Sequence, residues 1–313
     1  DLYVTQGLIS NGTGLYQEAI QDSERALKLN PVSAAAYRGL AQAYERLGRA
    51  RDAELTFRKA IELRPNDWAG YQYLALFHIR RGEYAKAEEC LRRVTELTPD
   101  NYWGFYTLGA VYHLQGRFEQ AIAPTERSIQ LRPTGAAYNN LGTIYSFQGR
   151  YQEAARAFEK AVELGTASRT IWGNLAEAYL RIPGQAEKAP EACRRAIQLT
   201  ETDLTVNPKD AEARAQLAVY CARLNQKQRA LAEAAKARGL AAGNTIVLFR
   251  CALAYELVGR RSLALETLKG ALRGGYSRAE VERHPDLAGL RQDPRYAALL
   301  RSSGAATPKQ TER

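Results

Sequence analysis

Between Tyr138 and Ala161 the apolar positions recur with a helical period. Tyr138, Leu141, Gly142 and Tyr145 fall at i, i+3, i+4 and i+7, so two rings and a leucine share one helix face with a glycine. Gly149 supplies a turn, Tyr151 opens a second helix, and Ala154, Phe158 and Ala161 form its own stripe. A hairpin this short cannot bury both stripes alone, which predicts that it stacks on further copies of itself.

The copies are present on both sides. The unit at 34–67 carries Tyr37, Leu40, Ala41, Tyr44, Gly48, Ala53, Phe57, Ala60 and Pro65. The unit at 68–101 carries Tyr71, Leu74, Ala75, Gly82, Tyr84, Ala87, Leu91 and Pro99, and that at 102–134 carries Phe105, Leu108, Gly109, Tyr112, Gly116, Phe118, Ala121 and Pro133. A partial copy at 1–33 has Gly7, Gly14, Tyr16, Ala19, Ala26 and Pro31, but its first helix, near Asp1 to Asn11, is poorly patterned and predicted to fray. The stretch at 135–168 contains the pattern described first.

The later copies depart more. At 169–210, Trp172, Leu175, Ala176 and Tyr179 keep the pattern, but the turn Ile182-Pro183-Gly184-Gln185 is one residue longer. The following helix, from Ala189, reaches its Pro208 seven residues late. That is about two helical turns, which predicts a long helix projecting past its neighbours or a helix with a short irregular link. The unit at 211–244 keeps Leu217, Ala218, Ala230, Ala234 and Ala237, with Asn225 at a turn that favours left-handed geometry. The unit at 245–276 keeps Cys251, Ala252, Tyr255, Gly259, Ala264, Leu268 and Ala271. Over 277–301, Ser277 and Glu280 form a capping box, His284-Pro285-Asp286 interrupts the helix, and Leu287, Leu290, Tyr296, Leu299 and Leu300 are predicted to cover the end of the last repeat. The small polar residues of 302–313 predict a disordered tail.

The series aromatic-x2-Leu-Gly/Ala-x2-Tyr, Gly, Ala-x3-Phe-x2-Ala, Pro resembles the tetratricopeptide repeat (TPR), a helix-turn-helix unit of 34 residues. The resemblance implies an all-α fold, a TPR superhelical solenoid of about eight repeats closed by a C-terminal capping segment. Length alone, 313 residues, predicts two domains; the repeats predict one elongated body instead.

A net charge of +10 favours acidic partners through long-range steering, or reflects only a solvated basic face. Cys90, Cys193, Cys221 and Cys251 lie far apart without CxxC spacing, so small buried core residues are expected rather than a zinc site. The chain begins at Asp1 and contains no Met, which suggests a fragment of a longer protein; it has no apolar run of membrane-spanning length, and a cytoplasmic location is favoured.

Catalytic signatures are not found. His78 occupies the place of a core aromatic, His113 follows Tyr112 toward the groove, and His284 belongs to a turn. Gly12-Thr13-Gly14 has no third glycine and no preceding strand, and the phosphate-loop, zinc-protease, esterase and kinase motifs do not occur. The expected function is therefore non-catalytic, with no cofactor and no metal.

In TPR proteins the first helices line the concave groove, and the resemblance projects the groove residues. They are Gln72, Tyr73 and Leu76; Trp103, Tyr106, Thr107 and His113; Asn139, Asn140, Thr143 and Phe147; and Asn174 with Glu177. Asn140, Asn174, Gln216 and Arg250 share one repeat position and form a polar ladder able to bond an extended peptide backbone, resembling the asparagine ladders of peptide-binding members. Arg46, Arg80, Arg181 and Arg223 share another, a row suited to carboxylates or to solvated helix ends. Tyr73, Trp103, Tyr106 and Phe147 are candidate anchors for apolar side chains. The carboxylate-clamp pattern of chaperone-binding members does not recur in register, so chaperone tails are not expected ligands.

The function expected is a scaffold that binds a protein or peptide segment in the groove. One alternative comes from the ending Gly274-Gly275-Tyr276-Ser277, Pro285-Asp286-Leu287 and Asp293-Pro294-Arg295-Tyr296, which resembles TPR regions of bacterial multidomain regulators. That makes the chain a sensory or docking arm of a serine/threonine kinase, cyclase or transcriptional regulator. RNA binding through basic and aromatic residues is the less favoured alternative, and membrane contact is not indicated.

Overall fold

In a computed structural model residues 2–303 are described, and every regular element among them is helical. The chain divides into two compact units, the first ending at Arg150 and the second starting at Tyr151. The tail expected at 302–313 lies, from residue 304 onward, outside the described residues, whereas 302 and 303 belong to the last helix.

The first unit consists of α1 (Leu2–Gly12), α2 (Tyr16–Leu29), α3 (Ala34–Arg46), α4 (Ala50–Leu63), α5 (Trp68–Arg80), α6 (Tyr84–Leu97), α7 (Tyr102–Leu114), α8 (Phe118–Leu131) and α9 (Gly135–Phe147). Odd-numbered helices are the first of each hairpin and even-numbered ones the second. The first helices start on a polar cap: the side chains of Ser33, Asp67, Asn101 and Thr134 accept from backbone N–H groups in the opening turn. The second helices have no such cap and follow a tight turn instead, closed by Gly14, Gly48, Gly82 and Gly116 at φ between 72° and 84°. Contrary to the fraying expected from its pattern, α1 is helical and packs against α2 and α3.

The core follows the small-large-small stripe. Ala53, Phe57 and Ala60 on α4 are buried beside Phe77 on α5, with the two rings 5.8 Å apart. On α6, Ala87, Leu91 and Val94 do the same. On α8 the equivalent places hold Thr125 and Ser128, both fully buried. Thr125 Oγ1 donates to the Ala121 carbonyl at 2.7 Å, and a Cβ on Gly109 would come within 2.2 Å of that hydroxyl. Ser128 Oγ has no hydrogen-bond partner among the described residues. Replacing a buried unsatisfied hydroxyl by a methyl group removes a desolvation cost and improves helix propensity, so Ser128→Ala is expected to stabilise this unit by about 1 kcal/mol, read as a raised denaturation midpoint.

The second unit opens with α10 (Tyr151–Glu163), followed by α11 (Arg169–Arg181), α12 (Ala189–Val206), α13 (Ala211–Arg223), α14 (Lys227–Leu240), α15 (Thr245–Leu257) and α16 (Arg261–Arg273). Three shorter helices finish it: α17 (Arg278–Arg283), α18 (Ala288–Arg291) and α19 (Pro294–Ser303). Caps at Ser168, Asp210 and Asn244 repeat the rule of the first unit. Asn225, at φ 58°, closes the α13–α14 turn where other hairpins use glycine. The late Pro208 gives an 18-residue α12, against 13 or 14 residues for most of the other repeat helices, and leaves Val206 85% exposed at its end. Leu287, Leu290, Tyr296 and Leu299 join the core formed by α13 to α16. No helix among the described residues is long and apolar enough to cross a membrane.

Candidate functional site

The first unit carries two aromatic groups, built mainly on its first helices. On α7, Trp103 stacks on Tyr106 with centroids 5.1 Å apart and an interplanar angle of 21°, and Trp103 is 41% exposed. One turn spaces these rings on the same helix face, so their stacking follows from the sequence interval. Farther along, Phe147 of α9 stacks on Phe118 at 4.9 Å, and His113 lies against both rings. Phe147 is 56% exposed, while burial holds His113 below its ordinary imidazole value, so the ring is neutral at pH 7. Phe118, absent from the residues projected from sequence, completes this group because it opens the second helix of its hairpin and meets the end of the next first helix.

Helix α9 also carries polar side chains. Asn139, Asn140 and Thr143 are half-buried. Thr143 Oγ1 donates to the Asn139 carbonyl at 2.8 Å, and Asn139 Oδ1 has no hydrogen-bond partner among the described residues. On α5, Tyr73 and Leu76 are half-buried, and the Arg38 guanidinium sits 6.0 Å from the Tyr73 ring. Gln72 and Thr107 depart from the projection: both are buried and bonded to each other at 3.4 Å. They face the seam between α5 and α7, where a side chain meets its neighbour before it meets solvent. His78 is buried as a core residue and bonds Glu83 at 2.8 Å.

In the second unit three of the projected residues, Glu177, Gln216 and Arg250, already have partners within the chain. Gln216 accepts from Arg169 Nε at 3.0 Å, and Arg169 also bonds Asp203 and Asp210. Arg250 lies 3.7 Å from Glu212, and Asn174 is half-buried. Gly173 leaves the space into which the Tyr220 hydroxyl reaches, 2.0 Å from where a Cβ would stand.

Glu177 receives the guanidinium groups of Arg181 and Arg223, and Arg223 donates through Nη2 to Asp286 at 2.9 Å. The Arg223 side chain is only 8% exposed, so the reading of this row as solvated helix ends is corrected at that position. Arg80, at the equivalent place in α5, remains 43% exposed and forks onto Glu45. Glu177, His284 and Asp286 bring potential ligand atoms within 4.8 Å of one another. Two guanidinium groups already neutralise these carboxylates, and their positive charge opposes a cation there.

Burial pushes the Glu177 carboxyl up, but Arg223 and Arg181, followed by His284, outweigh it and hold it at about 2. Burial holds His284 below its ordinary value; Glu177 and Asp286 pull it upward, and Arg181 and Arg223 oppose them. Both folded-state values lie below the unfolded ones. The stability they contribute is therefore present above the unfolded value and lost as pH falls, from about 6.5 for the imidazole and from about 4.3 for the carboxylate. The melting temperature of the wild type is expected to exceed that of Glu177→Gln most clearly above about pH 4.5 and to converge on it toward pH 2. Thermal melts of both across this range check the sign.

Burial raises the Cys90 and Cys221 thiols to about 11 and Cys251 to about 12, which keeps them protonated and poor nucleophiles at neutral pH.

A family profile described as the cilia and flagella-associated protein 70 middle TPR-like domain matches residues 37–165. Profiles described as tetratricopeptide repeat match residues 139–204 and 1–33. No curated protein matches the chain. Among solved structures, a chain of the APC/C hetero-tetramer Cut9–Hcn1 aligns with 18% identity and a TM-score of 0.63, covering 83% of this chain and 48% of that one. This chain thus spans about half the length of that relative. MamA (41-end) from Desulfovibrio magneticus RS-1 aligns with 22% identity and a TM-score of 0.50, covering 54% of this chain and 96% of that one. A crystal structure of MamA aligns at 27% identity with a TM-score of 0.46, covering 51% of this chain and 94% of that one. The alignments to Cut9–Hcn1 and to the Desulfovibrio MamA are likenesses of fold.

Proposed function

Because the chain belongs to the tetratricopeptide repeat family, we propose that it is a non-catalytic protein–protein interaction scaffold whose first helices bind an extended segment of a protein partner. The observation that carries this reading is the pair of aromatic groups on the first unit, Trp103 with Tyr106 and Phe147 with Phe118, in which Trp103 and Phe147 are exposed. Large aromatic rings anchor a partner's apolar side chains at low entropic cost. Asn140, half-buried on α9, supplies an amide able to bond an extended backbone.

The occupant is a segment with apolar side chains at intervals, its spare acidic groups favoured by the net charge of +10. A dodecapeptide library selected on the chain supplies a defined probe. Trp103→Ala combined with Tyr106→Ala is expected to weaken the selected peptides by about tenfold or more, as loss of an aromatic anchor does. Circular dichroism at the assay temperature checks that the variant stays folded, because Trp103 is 41% exposed but Tyr106 is half-buried. Selected peptides that bind this variant as tightly as the wild type would remove the aromatic groups from the proposal.

A further inference from the structure

The last segment of the second unit contacts its repeats in two chemically different ways. Leu287, Leu290, Tyr296 and Leu299 are buried in the apolar core, which is what closing a stack of hairpins requires. The His284-Pro285-Asp286 turn does something else. It reaches the first helices α11, α13 and α15 through charged and aromatic side chains: Asp286 takes Arg223 of α13, His284 approaches Glu177 of α11, and its ring packs edge-on against Phe249 of α15 at 5.6 Å. Tyr276 stacks on the same Phe249 at 4.4 Å. Glu177, Arg223 and Phe249 stand on the helices, and Glu177 at the projected place, where a ligand is expected in this unit.

The fit is incomplete. A carboxylate that meets an arginine side-on bonds Nε and Nη2 together. Asp286 uses Nη2 alone, leaving Arg223 Nε buried with no partner among the described residues, and His284 Nδ1 is left in the same condition. An unmet buried donor carries a desolvation cost that a better-placed carboxylate would relieve.

We propose that the inner face of α11, α13 and α15 is a carboxylate-reading surface, occupied in this state by the chain's own His284-Pro285-Asp286 turn and released to an aspartate-bearing segment of a protein partner. The turn then acts as an internal competitor. A partner must displace it, and the affinity measured on the intact chain is reduced by the fraction of molecules in which the turn is seated. This rests on the reading of first-helix faces as recognition surfaces, applied to a unit that does not contain the Trp103 and Tyr106 rings.

The test uses the full chain and a labelled synthetic peptide of residues 277–300, with Asp286→Asn in the chain to loosen the turn. Hydrogen exchange reports whether residues 277–291 open. The peptide is expected to bind the Asp286→Asn chain at least about tenfold tighter than the wild type, to lose that binding when the peptide itself carries Asp286→Asn, and to keep it in a chain that also carries Trp103→Ala and Tyr106→Ala. This last arm separates the proposal from the binding of library peptides by the first unit. Equal binding to both chains, or no binding although exchange shows the turn open, overturns the proposal. Unchanged exchange in Asp286→Asn also overturns it, because Asp286 is then not what seats the turn.

Discussion

Phe57→Ala is expected to destabilise the first unit by about 3–5 kcal/mol. The ring is fully buried beside Ala53, Ala60 and Phe77, and truncation leaves a cavity lined by side chains of α4 and α5, which belong to successive hairpins. In a repeat stack each hairpin touches only its neighbours, so the loss is local before it is global. Denaturant melts are expected to show an earlier transition, and hydrogen exchange to show α3 to α6 opening first. Loss of less than about 1 kcal/mol, or opening confined to helices beyond Arg150, would mean that this ring does not hold the hairpins together.

The second large effect is expected from Arg223→Met. Removing one partner of a buried ion pair leaves carboxylates desolvated, which costs about 3–5 kcal/mol when burial is complete. Glu177 and Asp286 keep 33% and 22% side-chain exposure and Glu177 keeps Arg181, so a loss of about 2–3 kcal/mol is expected here. Adding Glu177→Gln and Asp286→Asn to Arg223→Met removes the stranded charges and is expected to restore much of the loss. If the single substitution is neutral, the network does not hold the last segment in place; if the triple variant is weaker than the single, the charges do more than compensate one another.

The fold was legible because its turns and packing faces have their own sequence tokens. Glycines or Asn225 mark the turns and Ala-x3-Phe stripes mark the faces that pack, whereas the polar caps from Ser33 to Asn244 were seen only in the structure. The aromatic groups were partly legible. Trp103 and Tyr106 follow from helical spacing, but Phe118 required knowing which hairpin ends meet.

What escaped was set by contacts between elements. Gln72 and Thr107 occupy groove positions by repeat number, yet each is the nearest polar partner of the other across the seam between α5 and α7, and pairing there buries both. Arg223 occupies the same repeat position as Arg80, and nothing in the repeat distinguishes them. The difference comes from Asp286, which returns from 63 residues away to meet only one of them. Periodicity describes neighbours along the stack and is silent about a segment that folds back.

The central claim, that first helices rather than second helices receive the partner, is tested most directly by site-specific photo-crosslinking with a library-selected peptide. Benzophenylalanine is placed at Asn140 on α9 in one chain and at Lys59 on the outward-facing side of α4 in another. Strong crosslinking from position 140, abolished by excess unlabelled peptide, with none from position 59, is the expected result. Crosslinking from position 59 with none from position 140 would contradict the account.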